Sequence, residues 1–272
     1  MSNILHLNTQ IFIKEFETRG SHPSLFDCSD GNQYIVKHSQ QGRNYKHLIN
    51  EFIAAQIAQL VKIPVPDFAL VSIDSSVLPP DYIFELGKPS GLGFGSKFVS
   101  NPVKNVVYID SIIKLAKSKH NKIVEDLISI CAFDILLRNN DRSVNNPNLL
   151  IEESGSKFGL IAIDHSSIFC ELNYNFLQSE INEIPPIGDT LVDSELFKIL
   201  SFEYGLFFDQ IKSTVCQNIS KISDISINKI INSIPKEWFI SDSEKASIFN
   251  FIQIRKLKVE EHYNLLLKEI GL

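Results

Sequence analysis

The stretch "LLRNNDRSVNNPNLLIEE", residues 136–153, decides how this chain is read. Between Leu136-Leu137 and Leu149-Leu150-Ile151 it holds five asparagines, one aspartate and two arginines. An Asn/Asp-rich run of this kind is most simply a series of turns capped by its own side chains. Its flanks make it more than punctuation. Upstream, "NKIVEDLISICAFDILLR" (121–138) has helical periodicity, and downstream "NLLIEE" (148–153) and "FGLIAID" (158–164) read as two short strands around a Ser154-Gly155 turn. A polar loop is therefore expected between a buried helix and a hairpin, where rigid elements on both sides position it.

The amino-terminal part looks like strands. "QIFIKEF" (10–16) alternates, and "SLFDCSDGNQYIVKH" (24–38) carries Asp30-Gly31, a strong hairpin dipeptide, between two β-rich runs. Three strands are expected before residue 40. "YKHLINEFIAAQIAQLVK" (45–62) predicts a helix that stops before the prolines of "IPVP", and "FALVSI" (68–73) predicts a fourth strand. The glycines of "GKPSGLGFGSKFVSNP" (87–102) suggest an irregular approach to a short strand at "KFV". Helical periodicity resumes at "YIDSIIKLAK" (108–117), and residues 173–272 read as mostly helix punctuated by Pro185, Pro186 and Pro235. The order implies an α+β chain with a small strand-rich lobe, residues 1–101, and a larger helical lobe, residues 102–272.

Composition narrows the function classes. A chain of 272 residues with 44% hydrophobic and 21% charged residues is globular rather than disordered. A net charge of −6 and a pI near 5.7 argue against direct nucleic-acid binding, which needs a basic surface to release counterions. No helix-turn-helix with a basic recognition helix is evident. Neither a signal peptide nor a membrane-length apolar run is seen, and Cys28, Cys131, Cys170 and Cys216 stand apart among apolar residues, as buried reduced thiols do. A cytoplasmic protein is expected.

The polar loop also carries chemistry. Asp141 and Asn146 stand five positions apart, and Asp164 ends the strand beyond the hairpin. Two carboxylates and an amide oxygen are hard ligands suited to Mg²⁺, which takes few protein groups and shares its shell with phosphate and water. In phosphoryl transfer of the kinase pattern, one Asp orients the accepting hydroxyl, an Asn shortly after it holds metal, and an Asp on the next strand-turn holds metal at the nucleotide phosphates.

"FDILLRNNDRSVNNPNLLI" (133–151) followed by "LIAIDHSSIF" (160–169) resembles the HipA-like kinases, with their N-x-D-R-x-x-x-N-x-N-L loop and I-D-H step. "GSHPSLFDCSDGNQYIVKH", "NEFIAAQIAQLVKIPVPDFALV", "GFGSKFVSN" and "IPKEWF" are similar, in the same order, to segments of the short branch of that family, so the likeness spans most of residues 10–240. It implies a bilobal protein-kinase-like fold and ATP- and Mg²⁺-dependent transfer of a phosphoryl group to a hydroxyl, on a protein Ser/Thr. A pseudokinase or a small-molecule phosphotransferase would share much of this pattern.

Residue by residue, the resemblance implies that Asp141 is the base, that Arg142 steadies it or meets the transferring phosphate, and that Asn146 and Asp164 bind Mg²⁺. Lys37 would pair with the nucleotide phosphates and Glu51 would hold Lys37 through an ion pair. In place of a glycine-rich phosphate loop stands "TRGSHPS" (18–24), where Gly20, Ser21 and Ser24 could contact phosphate and Ser21 or Ser24 could be self-phosphorylated. The adenine is expected against Phe98, Val99, Ser100 and Asn101, with Ile35 and Leu149 as aliphatic walls. His165 is read as a structural hydrogen-bonding group and Asn148 as a turn cap. A regulatory partner protein is also implied; the phosphoacceptor is not identified.

Overall fold

A computed structural model gives the fold and describes residues 4–16, 22–39, 45–80, 91–99, 102–105, 121–154, 157–171, 173–185, 190–193 and 195–272. Five strands, β1 (His6–Glu15), β2 (Ser24–Cys28), β3 (Gln33–Lys37), β4 (Phe68–Ile73) and β5 (Gly91–Lys97), close a small barrel in the order β1-β2-β3-β5-β4. All neighbours are antiparallel except β1 and β4, which pair in parallel from His6 opposite Leu70 to Asn8 opposite Ser72. Alternation along the strands sends Leu7, Phe26, Cys28, Tyr34, Val36, Ala69 and Val71 into the barrel core.

The glycines expected to precede a strand are inside one. β5 spans Gly91–Lys97 rather than starting at Lys97. A Cβ on Gly93 would lie 2.7 Å from the Lys37 carbonyl oxygen and 2.8 Å from Val36 Cγ1, and one on Gly95 would lie 2.7 Å from Val71 Cγ2. Glycine is required there because neighbouring strands crowd the barrel wall.

Helix α1 (Lys46–Val61) lies between the barrel and the helical lobe, with most of its residues buried. Lys62 ends it in the left-handed conformation, donating to the Ala58 carbonyl, just before the prolines. In the helical lobe, α2 (Asn121–Leu137) is apolar almost all round and forms the centre of the largest core cluster. Around it stand α3 (Glu195–Tyr204), α4 (Leu206–Ser220), α5 (Asp224–Asn232) and α6 (Asp242–Glu269). A three-stranded sheet, β6 (Pro102–Asn105), β7 (Leu149–Ser154) and β8 (Lys157–Ala162), follows the order β6-β7-β8. The segment 108–117, read as helix, lies outside the described residues.

Backbone carbonyls on the barrel side accept hydrogen bonds from the helical lobe. The Trp238 indole N–H donates to the Leu92 carbonyl at 2.9 Å, and the Ala162 N–H donates to the Pro64 carbonyl at 2.8 Å. Deep in the helical lobe the fully buried Arg255 of α6 donates to the carbonyls of Ile135 and Leu136, the end of α2, and to those of Glu180, Ile181 and Glu183. Regular helical bonding gives out here, leaving Ile135 and Glu180 only long turn contacts from the Arg138 and Glu183 N–H groups at 3.4 and 3.3 Å, and one guanidinium with five donors completes the set. Of the four free cysteines, Cys28, Cys131 and Cys216 are buried; Cys170 is half-buried and accepts a hydrogen bond from Arg138 Nε at 2.9 Å. Among the described residues no helix is long and apolar enough to cross a membrane.

Candidate active site

Strand β3 ends with Lys37 facing α1, the fifth barrel strand allowing close approach through Gly93. Lys37 Nζ lies 2.5 Å from Glu51 Oε1 and 2.7 Å from Asp164 Oδ1, so three separate segments meet at one ammonium. The side chains of Lys37 and Glu51 are 12% and 5% exposed, whereas that of Asp164 is 35% exposed. Burial alone would drive the Lys37 ammonium towards its neutral form, but the Glu51 and Asp164 carboxylates overcome this and hold it charged. Asp164 responds in the opposite sense: burial raises its carboxyl, and the Lys37 charge with hydrogen bonds from Lys37 and Ser166 pulls it well below the usual carboxylate range.

Helix α1 also grips the turn that carries Asp164. Glu51 Oε2 accepts the His165 N–H at 3.2 Å, and Asn50 Nδ2 donates to the Ser166 and Ile168 carbonyls at 2.7 and 3.3 Å. Asp164 itself has φ of +56°, a left-handed conformation that Asp tolerates better than most residues. The Ser166 N–H and hydroxyl both donate to its Oδ1. Its hydrogen bonds among the described residues thus fall on Oδ1.

The loop around Asp141 is built by its own asparagines. Asp141 donates its N–H to Asn139 Oδ1, Asn146 Nδ2 donates to Asp141 Oδ1 at 2.8 Å, and Asn148 Nδ2 donates to Asp141 Oδ2 at 3.0 Å. Arg142 turns the other way. Its side chain has no exposed surface: Nε donates to Asp134 Oδ2 at 2.8 Å, Nη1 to the Pro147 and Asn148 carbonyls at 3.1 and 2.5 Å, and Nη2 to His165 Nε2 at 3.1 Å. Burial, reinforced by the Arg142 charge, holds the His165 ring neutral. His165 is therefore an acceptor at Nε2, joining the loop to the Asp164 turn.

Asp164 and Asn146 fit a Mg²⁺ ion in kind. Both offer hard oxygens, Asn146 bonds to Asp141 through its amide nitrogen, and no group of three His, Cys, Asp or Glu residues suited to a metal occurs among the described residues. Mg²⁺ commonly takes only one or two protein groups and completes its shell with phosphate and water, so two such oxygens would suffice for it.

The sequence matches the model of the HipA-like kinases over residues 10–182. This chain belongs to the HipA-like kinase family. Among solved structures, the proinflammatory kinase CtkA of Helicobacter pylori shares 14% identity, with 99% of each chain covered and a TM-score of 0.61. A chain from the HipA, HipB and operator DNA complex of Shewanella oneidensis has 14% identity and a TM-score of 0.45, covering 94% of this chain and 67% of that one. The Golgi casein kinase with Mn and ADP bound has 13% identity and a TM-score of 0.46, covering 100% and 75%. At these identities the likeness concerns the fold, a barrel lobe on a larger helical lobe, and it rests on the first. No curated protein matches the chain.

Within this HipA-like fold the anticipated residues separate into groups. Lys37, Glu51 and Asp164 come together, as do Asp141, Asn146 and Asn148. Arg142, expected to steady Asp141 or to meet the transferring phosphate, lies in the interior, where its donors hold the loop's backbone and Asp134. Ser24 is fully buried within β2, between its strand partners Glu15 and Val36, and so has no surface to offer a phosphate. Leu149 is likewise fully buried in the main core and is not a free wall. The Phe98 N–H is engaged by the Gln33 carbonyl at 2.8 Å and cannot also read a base edge. Val99 and Ile35 are half-buried. Gly20, Ser21, Ser100 and Asn101 lie outside the described residues.

The sequence reading missed two contributions. Asn50, one residue before Glu51 on a buried helix face, holds the Asp164 turn; a buried Asn among apolar neighbours was the available signal. Asn148 was read as a cap, yet its amide meets Asp141.

Proposed function

We propose that this chain is an ATP-dependent kinase that transfers the γ-phosphoryl group to a hydroxyl, on a protein Ser or Thr. The observation that carries the reading is Lys37 held at 2.5 Å by Glu51 and at 2.7 Å by Asp164. This places a desolvated cation beside a half-buried, firmly ionised carboxylate, the pairing needed to receive a polyphosphate and its counter-cation. Lys37 binds the phosphates while Glu51 keeps it oriented. Asp164 and Asn146 would hold Mg²⁺, which supplies charge neutralisation at the phosphates.

Asp141 orients the accepting hydroxyl. As the acceptor oxygen bonds to the γ-phosphorus, the bond from phosphorus to the ADP oxygen breaks, ADP leaves, and the hydroxyl proton passes to Asp141. Residues 1–101 serve as the nucleotide-covering lobe and 102–272 as the lobe with the loop and the Asp164 turn. A cytoplasmic setting, with its reduced thiols, and a regulatory protein partner belong to the same reading.

The test is calorimetric titration of ATP with and without Mg²⁺ into wild type and Asp164→Asn. Wild type is expected to bind in a metal-dependent manner and the variant to lose at least about tenfold in affinity, roughly 1.4 kcal/mol. Equal binding by both proteins removes Asp164 from metal binding and with it this reading.

A further inference from the structure

We infer that Asn148 is a positioning residue that sets the carboxylate of Asp141 in its working orientation, an inference that rests on the kinase reading above. Asp141 is held at both oxygens by amides, and the two amides differ in kind. Asn146 is exposed and, under the proposed function, shares its side chain with a cation. Asn148 is half-buried and has no such second duty: its Nδ2 donates to Asp141 Oδ2 at 3.0 Å.

What makes Asn148 a rigid holder is its backbone. Its carbonyl accepts from Arg142 Nη1 at 2.5 Å and from the Ile163 N–H at 3.0 Å, one residue before Asp164. Arg142 is in turn anchored on Asp134 of α2. Position 148 is thus the point where the loop is pinned both to the central helix and to the Asp164 turn. Its φ of +46° lies in the left-handed region, which few residues other than glycine accept and where Asn and Asp are enriched. Two independent demands meet at one site: a left-handed backbone and an amide donor one side chain away from the base. Glycine answers the first alone. Aspartate answers the first and reverses the second, since it would set a carboxylate against a carboxylate. Asparagine answers both.

A carboxylate free to rotate about its last torsion presents its lone pairs to the acceptor hydroxyl only part of the time. Small misplacements at a reacting group cost up to about a hundredfold in rate. The loss falls on turnover rather than nucleotide affinity, because Asn148 touches the base and not the Lys37 cluster.

The test uses the full-length protein as wild type, Asn148→Gly, Asn148→Asp, Asp141→Ala and Asp141→Ala/Asn148→Gly, with ADP formation from MgATP as readout. Asn148→Gly is expected to lower kcat about 10- to 100-fold with KM for ATP within about twofold, and Asn148→Asp to fall at least as far. In the Asp141→Ala background, adding Asn148→Gly is expected to change the remaining rate less than about twofold, because nothing is left to position. An equal fold-loss in both backgrounds, or wild-type turnover by Asn148→Asp, overturns the inference.

Denaturant unfolding of the wild type, Asn148→Gly, Asp141→Ala and the double variant reads the contact without any turnover. Midpoint shifts smaller in the double variant than the singles would add to are expected; additive shifts overturn the inference whether or not the protein is a kinase. Coupled shifts with no turnover by wild type sink the kinase reading instead, and reduce Asn148 to holding the loop.

Discussion

Replacing Lys37 by methionine keeps the length and apolar stem of the side chain and removes its charge. Glu51, 5% exposed, then sits in the interior with no cation at 2.5 Å, and Asp164 loses its partner at 2.7 Å. At an effective dielectric near 20, each contact is worth about 6 kcal/mol in gross Coulomb attraction, most of which desolvation offsets. The measurable quantity is smaller: removing one partner of a buried pair costs about 3–5 kcal/mol, because the survivor is stranded. For a chain of this size each kcal/mol moves Tm by about 2–4 °C, so Lys37→Met is expected to melt roughly 6–20 °C below wild type at pH 8.

The pH dependence has a definite sign. A stranded Glu51 has its folded pKa raised above the unfolded value, so the folded variant binds the extra proton. Its deficit is full at high pH and shrinks as pH falls through the raised Glu51 value towards the ordinary carboxylate range. A second change, Glu51→Gln, removes the stranded charge while retaining an acceptor for the His165 N–H. Lys37→Met/Glu51→Gln is therefore expected to recover more than half of the lost Tm at pH 8 while still failing to bind ATP. Calorimetric melting at pH 8 and 5.5 checks both statements. A single variant melting within about 2 °C of wild type at both pH values, or a double variant no more stable than the single, would refute the idea that Lys37 neutralises a buried carboxylate.

Two further outcomes are expected. Asp141→Asn should bind MgATP with affinity within about threefold of wild type and lose about 10³-fold or more in phosphoryl transfer, measured as ADP formation and acceptor labelling, because its contribution falls mainly in the transition state. Gly95→Ala places a Cβ 2.7 Å from Val71 Cγ2 in the closed barrel and should cost about 1–3 kcal/mol, read from urea unfolding at unchanged m-value.

Periodicity carries α1, α2 and the strands of the first hairpin plainly, since each has a single buried face or is buried all round, and the Asp30-Gly31 turn marks the hairpin itself. β5 was hidden because its pattern lies in what is absent: Gly93 and Gly95 leave no side chain to alternate, and the reason for them is on β3 and β4. β6, four residues opening on Pro102, is too short to show a period. The same divide runs through the site. Lys37, Glu51 and Asp164 come from three elements, and the family pattern brought them into one list before geometry brought them into one place. Arg142 could not be oriented from its neighbour Asp141, because adjacent residues of an irregular loop turn to opposite sides, and only Asp134, eight residues upstream on α2, reveals which way.

Arg255 gives the fold a timetable. The carbonyls it caps at Ile135 and Leu136 immediately precede the loop that bears Asp141, yet Arg255 lies outside residues 10–182, the part of this chain that matches the family. On a ribosome adding about 5–20 residues per second, the loop is made roughly a hundred residues, and so about 5–20 s, before its anchor exists. A nascent chain therefore carries Asp141 just beyond a helix end that lacks its guanidinium cap until α6 has emerged and docked.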